Sequence, residues 1–133
     1  MGRACYKDFL KIPYKHLGRS KEGVDCYGLV MLYYKEVLGI ELKDWWYEPD
    51  WSKKGHNYIL DNYEAYKFRR VEEPKKHDVI LITSDIKSPI ANHIQIYLRD
   101  NLAIGGEKTG VRLTDISRSI IKRRIEGFYR CLN

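Results

Sequence analysis

The chain has 133 residues, 44% of them hydrophobic and 32% charged, which is enough apolar material for one core and enough charge to cover it. No apolar run approaches the roughly 18 residues of a membrane span. The net charge of +6 favours polyanions or acidic partners, but none of the motifs of a DNA or RNA reader accompanies it, so no nucleic acid is expected.

The N-terminal stretch Met1–Tyr14 carries scattered charges and no continuous apolar segment, unlike a secretory signal. Tyr6 stands where a myristoylation motif needs Ser or Thr. The expectation is a single domain over residues 1–133, made and initially kept in a cytoplasm. Tyr6 to Leu10 reads as a short helix ended by Ile12-Pro13, and a polar, glycine-punctuated loop follows from His16 to Gly23. Asp25 is a good N-cap for the next element. From Cys26 to Leu38 the residues Leu29, Val30, Leu32, Tyr33, Val37 and Leu38 recur at helical spacing, and Gly39 supplies the stop.

Leu42 to Lys54 reads as an irregular loop holding Trp45, Trp46, Tyr47 and Trp51, either a carbohydrate platform or packed rings. A second helix is expected from Asn57 to Tyr66. After Pro74 the pattern turns to short β-rich runs. These are Val79–Ile82, His93–Leu98, a weaker one at Leu102–Ile104, Val111–Leu113 and Ile125–Arg130, with a short helix from Thr114 to Ile121 between the last two. Gly105 to Gly110 looks faintly like a phosphate loop but lacks Gly before Lys108, and reads better as a turn between strands. The dense basic group Arg118, Lys122, Arg123 and Arg124 reads as a solvated helix end. Helices first and strands afterwards make an α+β fold with an antiparallel sheet.

Three cysteines, Cys5, Cys26 and Cys131, argue against a disulfide framework. His16, His56, His77 and His93 show no HExxH spacing and no Cys/His cluster, so neither metal nor other cofactor is expected. Cys26 opens the best-marked helix, where unpaired N–H groups and the helix dipole favour a thiolate. Gly28 would leave room for a substrate to approach the sulfur. The plain alternative is a small buried hydrophobe opening a core helix. His93 begins a strand that alternates Ile94, Ile96 and Leu98 against His93, Gln95 and Tyr97. A histidine so placed can accept a thiol proton from a helix packed on the sheet.

Val24-Asp25-Cys26-Tyr27-Gly28-Leu29-Val30 resembles the D-C-S-G-L-V signature of the NlpC/P60 cell-wall peptidases, and Asn92-His93-Ile94-Gln95-Ile96-Tyr97-Leu98 resembles their N-H-V-G-I-Y-L signature. Ile12-Pro13-Tyr14 is similar to the segment preceding the nucleophile. The resemblance implies a papain-like NlpC/P60 fold, with N-terminal helices packed on a central antiparallel sheet. It also implies a cysteine peptidase that hydrolyses the D-γ-glutamyl–diamino-acid bond of peptidoglycan stems. By position Cys26 would be the nucleophile and His93 the general base and acid. The Cys26 N–H, helped by Tyr14, would stabilise the oxyanion. Asp25 would be either a cap or a recogniser of a substrate amine. Tyr27 and the absence of a signal peptide are similar to phage and prophage tail-assembly members, which implies tail proteins as partners and association with the virion.

One position departs from the family. Its third polar residue, which orients the imidazole, aligns with Gly105, which has no side chain to offer. Backbone or water could orient His93, Glu107 could substitute, or the chain could be a weak enzyme or an inactive tail scaffold. A different thiol enzyme, an acyltransferase or amidase, is a further alternative.

Overall fold

The computed structural model describes residues 5–44, 68–83 and 93–131. The helix expected at Asn57–Tyr66 and the tryptophan-rich segment from Trp45 to Trp51 lie outside them. Chain entry is a 3-10 turn at Tyr6–Phe9, with Phe9 fully buried. The expected loop that follows contains a small antiparallel hairpin, β1 (Arg19–Ser20) and β2 (Gly23–Val24). Strands of two residues are too short for alternation to show in a sequence.

The hairpin delivers the chain into helix α1 (Cys26–Tyr33), for which Asp25 is the N-cap in extended backbone. The expected helix does reach Leu38, but its last part, Tyr34–Leu38, is wound as a π-helix. Where the winding changes, two successive rings turn inward onto one residue. Tyr33 Oη lies 2.8 Å from His77 Nδ1, and Tyr34 donates to the His77 carbonyl oxygen. Gly39 ends the element with φ +69°, a conformation that costs glycine nothing.

The remaining strands form one antiparallel sheet in the order β3-β8-β4-β5-β6-β7. They are β3 (Phe68–Val71), β4 (Val79–Ile82), β5 (His93–Arg99), β6 (Leu102–Glu107), β7 (Gly110–Asp115) and β8 (Ile125–Cys131). Strand β3 was not legible in the sequence, because a buried Phe68 followed by two exposed arginines shows no alternation. Its pairing with β8 makes it a strand. A helix was expected from Thr114 to Ile121, yet Thr114 and Asp115 pair with Ala103 and Leu102. Only Ser119–Lys122, here α2, is helical. Residues Gly105 to Glu107 likewise belong to β6, so the turn before β7 is Lys108-Thr109 alone.

Helix α1 packs on β5 and β6. Leu29, Val30 and Tyr33 from the helix share a core with Ile94, Ile96, Leu98 and Ile104 from the sheet. Ile80, Ile82, Ala103 and Ile116 form a second cluster with Tyr97 and Phe128 against it. The alternation read along β5 is therefore realised. Of the basic group expected to be solvated, Arg118, Lys122 and Arg123 are exposed around α2, whereas Arg124 is half-buried.

Candidate active site

The site begins with the knot that holds the start of α1. Asp25 is 3% exposed, yet three N–H donors converge on its two oxygens. Gly28 N donates at 2.7 Å, Leu17 N at 2.9 Å and Arg19 Nη1 at 2.9 Å. The first bond is the helix cap; the other two fasten the preceding loop to it. Of the two roles left open for Asp25, this geometry is that of a cap. Arg19 also reaches Asp44 Oδ1 at 3.1 Å and lies over the Tyr27 ring.

Gly28 serves packing rather than access to the sulfur, a correction to the expectation. A Cβ there would sit 1.9 Å from the Gly18 carbonyl oxygen, so the missing side chain lets the loop close down on α1. Tyr14 is bridged to Val24 and half-buried. Burial, then the neighbouring Asp25 and Cys26, push its hydroxyl up, which leaves it a neutral O–H donor beside the thiol.

Cys26 is a free, partly exposed thiol at the first position of α1, near enough to the His93 side chain to raise its basicity. His93 stands at the first position of β5, at the end of the sheet. Its Nε2 pairs with Glu107 Oε2. Burial alone would strip the proton from His93, but its interactions with Cys26 and Glu107 outweigh that and push the imidazole up to about 10. On Glu107 burial favours the neutral acid. The His93 bond and charge, then Gln95 and Arg112, overcome it and hold the carboxyl below its usual value.

Gly105, the expected third position, is the cross-strand partner of Gln95 and has no room for a side chain. A Cβ on it would meet Gln95 Cγ at 2.7 Å and Glu107 Oε2 at 2.9 Å. The carboxylate on the imidazole comes instead from Glu107, two residues along the same strand and so on the same face. Of the alternatives left by Gly105, this is the one the side chains adopt.

Three residues of the cluster were not picked out from the sequence. Gln95 Nε2 donates to Glu107 Oε2 at 3.2 Å and to Thr114 Oγ1 at 3.3 Å. Gly106 faces the opposite way, where a Cβ would sit 2.6 Å from the Asp25 carbonyl oxygen. Its missing side chain lets β6 touch the start of α1. Two adjacent glycines inside a strand are the signal that could have shown it, because glycine there marks a close backbone approach. Among the described residues no three His, Cys, Asp or Glu side chains gather as metal ligands. A cleft of about 270 Å³, lined in part by Arg19, Leu32, Lys35 and Glu41, lies apart from the pair.

The chemistry available is that of a thiol next to a carboxylate-braced imidazole at a helix N-terminus. The sequence pattern that defines the NlpC/P60 family matches residues 11–130. This chain belongs to the NlpC/P60 family. Among curated proteins, it is 35% identical to tail tip assembly protein K of Escherichia phage lambda over 101 residues. That match covers 74% of the chain and 49% of the phage protein. The corresponding protein of Escherichia phage N15 is 29% identical over 82 residues, covering 60% of the chain and 33% of that protein. The NlpC/P60 chain thus spans half or less of the curated relatives it matches.

Solved NlpC/P60 structures share its fold. A lipoprotein-like member from Staphylococcus aureus superposes with a TM-score of 0.68 at 22% identity, covering 95% of this chain and 38% of that one. The NlpC/P60 domain of the peptidoglycan hydrolase SagA gives 0.64 at 18% identity, covering 95% and 92% of the two chains. The expected α+β NlpC/P60 architecture is therefore the observed one.

Proposed function

We propose that this NlpC/P60 chain is a cysteine endopeptidase that hydrolyses peptidoglycan stem peptides at the D-γ-glutamyl–diamino-acid bond, as a virion-associated tail component during cell entry or tail assembly. The observation that carries the reading is the Cys26–His93–Glu107 contact series at the N-terminus of α1. The family membership and the printed names of the phage relatives support the setting.

In this mechanism the Cys26 thiolate attacks the peptide carbonyl, and the oxyanion accepts hydrogen bonds from the Cys26 N–H and the Tyr14 hydroxyl. His93, kept protonated by Glu107, gives its proton to the departing amine. The neutral imidazole then takes a proton from water, whose oxygen attacks the thioester; collapse releases the acid and the Cys26 thiolate, restoring the thiolate–imidazolium pair. Glu107 holds the ring in one orientation and stays ionised throughout.

Mass spectrometry of purified stem peptides incubated with wild type and with Cys26→Ala tests this. Cleavage by the wild type alone is the expected result. Equal cleavage by both would overturn the role of Cys26. Cleavage by neither, across several wall types, would favour a second reading, a tail-assembly protein that keeps the fold without the reaction. That reading draws on Gly105 and on the assembly role in the relatives' names. It requires particles to assemble normally with Cys26→Ala.

A further inference from the structure

We propose that Gln95 is a positioning residue which, braced by Thr114, holds the Glu107 carboxylate against His93. The inference deepens the reading above and rests on it for its catalytic meaning. In the family signature that Asn92–Leu98 resembles, glycine occupies the place of Gln95, and the polar orienting residue occupies that of Gly105. Here those two positions are directly opposite one another on β5 and β6, with the side chains exchanged. The Gln95 amide fills the space above Gly105 so closely that no Cβ fits there.

The amide has two N–H bonds and two acceptors, Glu107 Oε2 at 3.2 Å and Thr114 Oγ1 at 3.3 Å. His93 Nε2, 3.3 Å away, also points its proton at Glu107, so the two nitrogens are neighbours that share an acceptor. Turning the amide over would set its oxygen against the carboxylate, which fixes its orientation. For packing alone an apolar side chain would serve better, because Gln95 Oε1 is buried with no hydrogen-bond partner among the described residues. What the NH2 group does to Glu107 accounts for the amide.

The groups facing this cluster are Cys26 from α1, Glu107 from β6, Arg112 from β7, and Tyr14 and Asp25 beside the thiol. The test is a titration of the His93 ring by NMR in nitrogen-labelled protein, for wild type, Gln95→Met, Thr114→Val and Thr114→Ser. The His93 midpoint is expected to fall by about one pH unit in Gln95→Met, a tenfold change in its protonation equilibrium. It should fall by less in Thr114→Val and hold in Thr114→Ser. A Gln95→Met protein that melts lower but keeps the wild-type midpoint would reduce Gln95 to packing and overturn the proposal. Should Gln95→Met not fold, the Thr114 pair decides it, and equal midpoints in Val and Ser would overturn it. The readout needs no cleavage, so the two readings fail separately. A shifted midpoint in a protein that cuts nothing refutes the peptidase, and an unshifted one in a Cys26-dependent peptidase refutes the positioning.

Discussion

Replacing Asp25 by alanine removes the acceptor for three donors at once, and the loss can be worked from their surroundings. The cap bond to Gly28 is worth about 1 kcal/mol. Leaving the Leu17 N–H without its acceptor costs about another 1 kcal/mol. Arg19 loses its shorter carboxylate contact but keeps Asp44, and its side chain is 18% exposed against 4% for Asp25. Water and Asp44 soften that loss to roughly 1–2 kcal/mol. The sum is about 3–4 kcal/mol, a large share of the roughly 5–15 kcal/mol that holds a domain of ordinary stability.

Urea unfolding at neutral pH measures it, with an unchanged slope confirming that only stability moved. Asp25→Asn sharpens the test. At an ordinary N-cap, asparagine serves about as well as aspartate. Here it offers one oxygen to three donors and turns its NH2 toward N–H groups, so it should lose nearly as much as alanine. An Asp25→Asn protein as stable as wild type would refute the knot. A raised KM with unchanged unfolding would show that Asp25 recognises a substrate amine instead.

Gly106→Ala places a Cβ 2.6 Å from the Asp25 carbonyl oxygen, backbone against backbone, so β6 must back away from α1. We expect a loss of about 1–3 kcal/mol and slower alkylation of Cys26 relative to Cys5. A folded Gly106→Ala protein with wild-type Cys26 reactivity would show that this contact does not set the site. The pH dependence follows from the His93–Glu107 pair. His93 is raised from 6.5 to about 10, so its contribution is full below the lower value and disappears as pH climbs through the upper one. Glu107 is lowered from 4.5, so its contribution is present above that value and goes as pH falls. Between about pH 6 and about pH 10.5 the wild type should therefore lose more stability than Glu107→Gln, by urea midpoints. Equal losses would mean that the pair is not coupled in solution.

Much of the site could be read from local pattern. The Asp25 cap, the helix opened by Cys26 and the inward set Ile94, Ile96 and Leu98 each depend on neighbours in sequence, and periodicity reports those. What could not be read depends on partners far along the chain. Phe68–Val71 is a strand because β8 pairs with it, and Thr114-Asp115 extends β7 because β6 is there to receive it. Glu107 shows the difference most clearly. Alignment points to one position, Gly105, whereas the imidazole requires a carboxylate within reach. A longer side chain two residues on, on the same face, meets that requirement. Gln95 falls on the polar face of β5, but its partner Thr114 comes from a strand whose local sequence has the look of a helix.

Strands β5 and β6 are joined by Asp100-Asn101, both at positive φ, the conformation of a tight hairpin turn. His93 and Glu107 thus sit near the open ends of one hairpin, the kind of unit that forms within microseconds from contacts close in sequence. The thiol comes from a separate element, α1, whose start meets β6 at Gly106. The proton-handling half is local to that hairpin, whereas the nucleophile comes from about 67 residues earlier in the chain. Reactivity is therefore a property of the assembled tertiary structure and of no local segment of it.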